Sequence, residues 1–385
     1  MPSAAAADRS ARAAPRLLHV FPTFVPAGRE TRSAMLMNEL SVGWRHALVA
    51  IDGRLSAREL LRRPEEVATI EAPAARGALA ALRAWRALLA RERPDLVLTY
   101  NWGAFDALLA ARSLRLPVVH HEDGFNADEA ARQLPRRLWT RRVLLRGVHL
   151  VVPSLKLAGI ARESWRLAPG LVHHIDNGVE LARHSPRDGA PELRRRLGIP
   201  LDAPVVGWLG HLRPVKNPLR FLSAMARVDP ELRAWALVVG DGPERPACEA
   251  FAARTHTLAG RVVFAGHQSD PREHLRAMDA FCISSDSEQM PIALVEAMAT
   301  ALPTASTDVG DVRGMLGTHQ EAQVVPLAEH ETAWPLAEAI QGLLADPALR
   351  ARLGARNREL ALERYGLEAM VRAHEAVWRA ALPRR

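Results

Sequence analysis

Residues Ser285–Thr300 read SDSEQMPIALVEAMAT. A short apolar run, Ala280–Ile283, leads into them, and from Ile292 the apolar residues close up into a helical pattern, so the stretch reads as strand, polar loop, helix. Glu288 falls in the loop and Glu296 lies eight residues on, inside the helix. That spacing separates two carboxylates by more than a helical turn. Each can accept hydrogen bonds from a different part of one ligand, while the first N–H groups of the helix face an anion between them. Pro291 suits the first helical turn, where its missing N–H has no partner to lose.

Outward from this stretch the same alternation repeats. Toward the N-terminus of the second half come strand Val205–Leu209, helix Leu219–Arg227, strand Ala234–Val239, helix Arg245–Thr257, strand Val262–Phe264 and helix Pro271–Met278. The first half shows strands at Leu17–Phe21, His46–Ile51, Asp95–Tyr100, Pro117–His120, Val148–Val152 and Val172–Ile175, with helices at Glu30–Leu40, Ala78–Arg91 and Ala104–Ser113. Alternating strands and helices imply parallel sheets covered on both faces, here two doubly wound, Rossmann-like α/β domains facing a cleft. The polar, Pro-rich stretch from Glu180 to Ala203 has the composition of an interdomain connection. The expected divisions are a disordered leader over 1–15, an N-terminal domain over 16–185, a C-terminal domain over 186–365, and a helix within 366–385 packing back on the N-terminal domain.

The chain has 385 residues, 48% of them hydrophobic and 24% charged, the balance of a folded globular protein of about two domains. No apolar run approaches the roughly 18 residues that span a bilayer, and Met1–Pro15 lacks the apolar core of a signal peptide. Cys248 and Cys282 are the only cysteines and belong to no CxxC or Cys/His cluster, which fits a cytoplasmic setting. The net charge of +8 points to an anionic partner. Six arginines between Arg132 and Arg146, interleaved with Leu134, Leu138, Trp139, Val143, Leu144 and Leu145, read either as a basic amphipathic helix on an anionic membrane or as a solvated Arg-rich helix. Charge alone would also suit a nucleic-acid-binding protein, but no RRM-like, zinc-finger or stacking signature accompanies it, and no nucleic-acid partner is expected.

Several segments in order along the chain resemble the retaining glycosyltransferases of family four, which have the two-domain GT-B fold and a C-terminal E-x7-E motif. They are PAGRE (Pro26–Glu30), GHLRPVKN (Gly210–Asn217), GDGPER (Gly240–Arg245), the Glu288/Glu296 pair, and ALPTASTDVGDVRGM (Ala301–Met315). The resemblance implies transfer of a sugar from a nucleoside-diphosphate sugar to a saccharide or lipid-linked acceptor hydroxyl, with retention, in cell-surface polysaccharide or glycolipid synthesis. It places Glu296 on the nucleotide ribose, Glu288 on the transferred sugar and Lys216 on the diphosphate, with Gly28, His211, Arg213, Gly240, Gln289, Met290, Pro291 and Ile292 completing the donor site. His211 stands where the family usually has arginine, and Gln289–Met290 replace a small, glycine-containing pair. After the strand at Pro117 come His120, His121, Glu122 and Asp123. The family's functional histidine aligns on Asp123, which becomes the candidate to act on the acceptor, with His121 or His120 in reserve. Asp286-x-Glu288 could suggest a metal site, but the two-domain pattern assigns the phosphate charge to Lys216, Arg213 and a helix N-terminus, so neither a metal nor another cofactor is expected. A nucleotide-sugar epimerase or a phosphorylase on the same architecture is the competing enzyme class.

Overall fold

The computed structural model describes residues 14–125, 129, 133–186, 190–327 and 332–383. Among them, seven strands form a parallel sheet in the first half: β1 (Arg16–Phe21), β2 (Arg45–Ala50), β3 (Ala68–Thr69), β4 (Leu96–Tyr100), β5 (Val118–His121), β6 (His149–Val152) and β7 (Val172–His174), in the order β3-β2-β1-β4-β5-β6-β7. Helices α1 (Gly28–Glu39), α2 (Ala78–Glu92), α3 (Phe105–Ser113), α4 (Pro135–Leu144) and α5 (Leu155–Glu163) connect them. All five residues of β4, LVLTY, are buried, as a strand covered by helices on both faces requires.

The second half repeats the design. Strands β8 (Val205–Leu209), β9 (Trp235–Val239), β10 (Val262–Gly266), β11 (Ala280–Ile283), β12 (Thr304–Thr307) and β13 (Val324–Val325) pair in the order β10-β9-β8-β11-β12-β13. Around them lie α6 (Pro191–Arg196), α7 (Pro218–Met225), α8 (Arg245–Arg254), α9 (Arg272–Arg276), α10 (Ile292–Ala299), α11 (Val312–Leu316), α12 (Ala333–Ala345) and α13 (Pro347–Arg364). The expected pair of Rossmann-like α/β halves is therefore present. Strand order reverses beside β1 and beside β8, and the carboxyl ends of both sheets face one cleft.

The chain crosses between the halves twice, and the crossings touch. Val179 N donates to Tyr365 O, and Leu367 N donates to Val179 O, both at 3.0 Å. A Cβ on Gly178 would stand 2.6 Å from Gly366 O, so only glycine lets the two segments pass this closely. Beyond the second crossing, α14 (Leu367–Ala381) buries Leu367, Met370, Val371, His374, Val377 and Trp378, one helical stripe, against the N-terminal half. There Trp378 meets Trp44 and His19 edge to face. No described helix is long and apolar enough to cross a membrane.

The structure differs from the sequence reading in three local respects. Pro291 is the N-cap of α10, with extended backbone (ψ 122°), rather than a residue of its first turn; its carbonyl accepts from Leu294 N. The helix within 132–146 is α4, and two of its arginines turn inward: Arg137 and Arg141 each reach Glu129 at 3.0 Å. A buried carboxylate, not solvent, is their partner, which leaves a narrower basic face; Arg132 and residues 1–13 of the expected leader lie outside the described residues. Strands β3 and β12 were not legible, because AT is too short and TAST too polar to show a strand period.

Candidate active site

The loop between β11 and α10 is tied down on both sides. Asp286 N donates to Val215 O, Asp286 pairs with Arg220 at 2.7 Å, and Ser284 Oγ donates to Asn217 O, so the loop is laced to the segment after β8. On the other side Thr307 Oγ1 donates to Ser285 O, and Asp311 N donates to Gln289 O. Gly310, at φ 55°, packs so closely that a Cβ would come within 2.4 Å of Gln289 O. Loop geometry is thus fixed before any ligand arrives.

Within that frame Lys216 Nζ reaches both carboxylate oxygens of Glu288, at 2.5 and 2.7 Å, and Ser285 Oγ adds a third hydrogen bond at 2.7 Å. Glu296 is the one polar residue in α10, IALVEAMA, and its side chain is 12% exposed. Among the described residues no donor hydrogen-bonds its carboxylate; His184 Nε2 stands 4.0 Å away. Burial, reinforced by the negative charge of Asp270, pushes the Glu296 pKa up to about 8. Such a displaced carboxyl in a cleft marks a site waiting for polar partners.

Two helix N-termini meet here. No side chain caps α10 or α1. A Cβ placed on Gly28, the first residue of α1, would lie 3.9 Å from Ile292 Cδ1, the first residue of α10. Both helices present free N–H groups and the positive ends of their dipoles to the same side of the cleft.

The N-terminal wall carries a buried charge chain. Arg32 of α1, its side chain 3% exposed, binds Asp123 through both guanidinium nitrogens, at 2.6 and 3.0 Å, and reaches Asn177 Oδ1 at 3.3 Å. Asn177 then crosses the cleft: its Nδ2 donates to Met290 O at 2.7 Å and its backbone N–H to Met290 Sδ at 3.0 Å. Two further contacts span the halves. Ser154 Oγ donates to Gln289 Oε1 at 2.8 Å, and Asp311 accepts the Leu155 and Lys156 N–H groups of the first turn of α5.

With this geometry in place, comparison with known proteins is informative. Residues 41–183 match the family model described as Glycosyltransferase Family 4, and residues 190–360 the one described as Glycosyl transferases group 1. The fold superposes on HepE of Anabaena, solved in complex with UDP, with a TM-score of 0.78 and 18% identity over 95% of this chain and 100% of that one. The chain is a family-four-like protein of the GT-B fold. TuaC of Bacillus subtilis, a putative teichuronic acid biosynthesis glycosyltransferase, is 34% identical over 164 residues, 42% of this chain and 39% of TuaC. LpsE of Rhizobium meliloti, a lipopolysaccharide core biosynthesis glycosyltransferase, is 33% identical over 181 residues, 47% of this chain and 51% of LpsE. The chain thus spans about half the length, or less, of these curated relatives.

In this GT-B protein Lys216 pairs with Glu288, and Gly28 lies against Ile292, which is one helical turn from Glu296 in α10. His211 and Arg213 lie in the segment between β8 and Lys216; partial burial, then the charge of Arg213, holds the His211 pKa down, so near neutrality Arg213 is the cation there. Gly240 packs against the loop that follows β8. At φ 133° its absent Cβ makes room for Gly210 O, which would stand 1.8 Å away, so the glycine joins two loops. Gln289 and Met290 face Ser154 and Asn177, so both serve the contact between halves.

His121 sits in the core, fully buried, stacked on Tyr100 (4.6 Å between centroids) and on His374 of α14 (5.8 Å). Among the described residues neither ring nitrogen has a partner, and burial, with His374 and Arg32 beside it, depresses its pKa well below the usual imidazole value. Its position is that of a packed neutral ring. His120 is buried on the opposite strand face, against Thr99 and 3.7 Å from Glu122, so the HHED run divides between two faces and Asp123 alone of the four borders the cleft. Sequence reading missed Arg32, Asn177 and Asp311. Glu30 and Arg32 offered a signal: charged residues among the buried positions of α1 beside Ala34 and Met37. Asn177 gave none, since Asp-Asn-Gly reads as an ordinary turn.

Proposed function

We propose that the protein is a glycosyltransferase that moves a sugar from a nucleoside diphosphate to an acceptor hydroxyl with retention of anomeric configuration. The observation that carries the reading is the Lys216–Glu288 pair in the loop that leads into α10, whose uncapped N-terminus meets that of α1 between two Rossmann-like halves, with Glu296 one turn into α10. Glu296 accepts the ribose hydroxyl pair, Glu288 the hydroxyls of the sugar, and Lys216 with Arg213 and the helix ends hold the diphosphate. As the anomeric C–O bond breaks, the electron pair goes to the diphosphate oxygen, where Lys216 meets the growing charge. The acceptor oxygen bonds to the same face of the anomeric carbon and its proton passes to the departing phosphate. Asp123, fixed by Arg32, orients the acceptor. Because these groups meet the phosphate charge, turnover is expected to survive chelation of divalent ions.

The acceptor is a saccharide or lipid-linked saccharide at the cytoplasmic face of a membrane, by analogy with the surface-polymer relatives. The outward face of α4, with Arg136 and the exposed Trp139 (63%) and Val143 (61%), would contact anionic lipid there. A thermal-shift panel of nucleotide sugars, followed by NMR of the product anomer, tests the reading: no stabilised donor, or an inverted linkage, overturns it. Failure to bind anionic liposomes at low salt removes the membrane contact.

A further inference from the structure

A second concavity lies at the other end of the N-terminal sheet. It has a volume of about 490 Å³ and is lined by Leu145, Arg146, Arg162, Arg166, Leu167 and Leu171 among others. These residues precede β6 and β7, at the amino ends of strands whose carboxyl ends form the cleft. A four-residue strand separates the two by on the order of 13 Å. A donor bound in the cleft does not reach it.

The walls are fixed by arginines committed to structure. Arg112 donates to Leu144 O and, at 2.8 Å, to Arg146 O; Arg142 Nε donates to Ser164 O at 2.7 Å. The first holds the turn after α4, the second joins α4 to the end of α5. Arg146, Arg162 and Arg166 differ. They are exposed, and among the described residues their guanidinium groups make no hydrogen bond or ion pair, while no carboxylate lines the groove. Three unpaired cations around one preformed concavity repel one another, a cost that a bound anion removes. Guanidinium forks match phosphate oxygens two at a time. Ala168 and Pro169, both exposed, and the half-buried Leu171 give the groove an apolar side beside the charges.

We propose that this groove is a binding site for a phosphate ester, separate from the donor cleft and independent of how that cleft is used. The phosphate sits between Arg146, Arg162 and Arg166, and an apolar portion of the ligand lies on Ala168, Pro169 and Leu171. The phosphate belongs either to a lipid headgroup or to a soluble phosphorylated molecule, and the two sources are separable.

The test is calorimetric titration of the full chain with dihexanoyl phosphatidic acid, below its micelle concentration, and with inorganic phosphate. The comparison protein carries Arg146→Ala, Arg162→Ala and Arg166→Gly. Arg166 has φ 58°, which glycine adopts without strain, so that change removes charge at no backbone cost. Phosphatidic acid should bind the triple variant at least tenfold more weakly than the wild type, with unchanged melting temperature. Lys216→Ala removes any phosphate binding in the cleft and leaves this difference intact, so failure of the donor reading and failure of this one are told apart. Phosphatidic acid tenfold tighter than inorganic phosphate identifies a lipid source; equal affinity for both identifies a soluble one. Indistinguishable titrations of wild type and triple variant overturn the proposal.

Discussion

Lys216 Nζ bridges both carboxylate oxygens of Glu288, so in the protein without ligand the cation assigned to the diphosphate is engaged by the carboxylate assigned to the sugar. With side chains 24% and 10% exposed, the pair is partly desolvated, and breaking it on one side leaves a charge poorly hydrated. Glu288→Gln should therefore free Lys216 and tighten binding of a bare nucleoside diphosphate by about threefold to tenfold, roughly 1 kcal/mol, while sugar transfer falls sharply. Weaker diphosphate binding in this variant would show that Glu288 does not compete for the lysine.

Glu296 supplies a pH-dependent prediction. Its folded-state pKa, near 8, lies above the ordinary carboxyl value of 4.5. The associated stability is fully present below the unfolded value and is lost as pH rises from about 4.5 to 8, because the folded state resists ionising the buried group. Glu296→Gln abolishes that loss. Without ligand, the variant should match the wild type near pH 4.5 and exceed it at pH 8.5, by roughly 1 to 3 kcal/mol in denaturant melts. Donor binding should be lost at the same time, a site whose function costs stability. Parallel pH profiles for the two proteins would refute the burial argument.

How much of this was legible in the sequence follows from what each residue contacts. Strands such as LVLTY declare themselves because both faces are covered and every residue is apolar or buried. Glu288, Glu296 and Lys216 stood out because each is a charged residue in or just after a short polar loop at a strand end, a setting that local sequence alone displays. Arg32, Asn177 and Asp311 were not, since each acts across elements distant in sequence: Arg32 is 91 residues from Asp123 and Asn177 is 113 from Met290. His121 misled, because an ionisable side chain at a strand end looks the same in sequence whether it faces a cleft or a covering helix. Here α14 covers it with His374, and that helix arrives from the far end of the chain.

Arg32 is held between Asp123 and Asn177, and Asn177 holds Met290, so one buried cation links the N-terminal wall of the cleft to the loop between β11 and α10. Arg32→Met would strand Asp123 without its partner and should cost about 3 kcal/mol. Arg32→Met combined with Asp123→Asn should recover at least about 1 kcal/mol of that loss. Additive losses in the double-mutant cycle would mean the pair is not coupled.

The packing of His121 gives the opposite expectation. Its ring stacks between Tyr100 and His374, both nitrogens lack partners, and its pKa is depressed by burial, so it offers the core an aromatic surface and little else. His121→Phe keeps the ring and discards two unsatisfied polar atoms, each a burden when buried. The variant should be within about 1 kcal/mol of wild type in stability, or above it, and should retain turnover within a factor of about three. A thousandfold drop in kcat with an unchanged melting temperature would instead return His121 to the chemistry and require the cleft to open as far as β5.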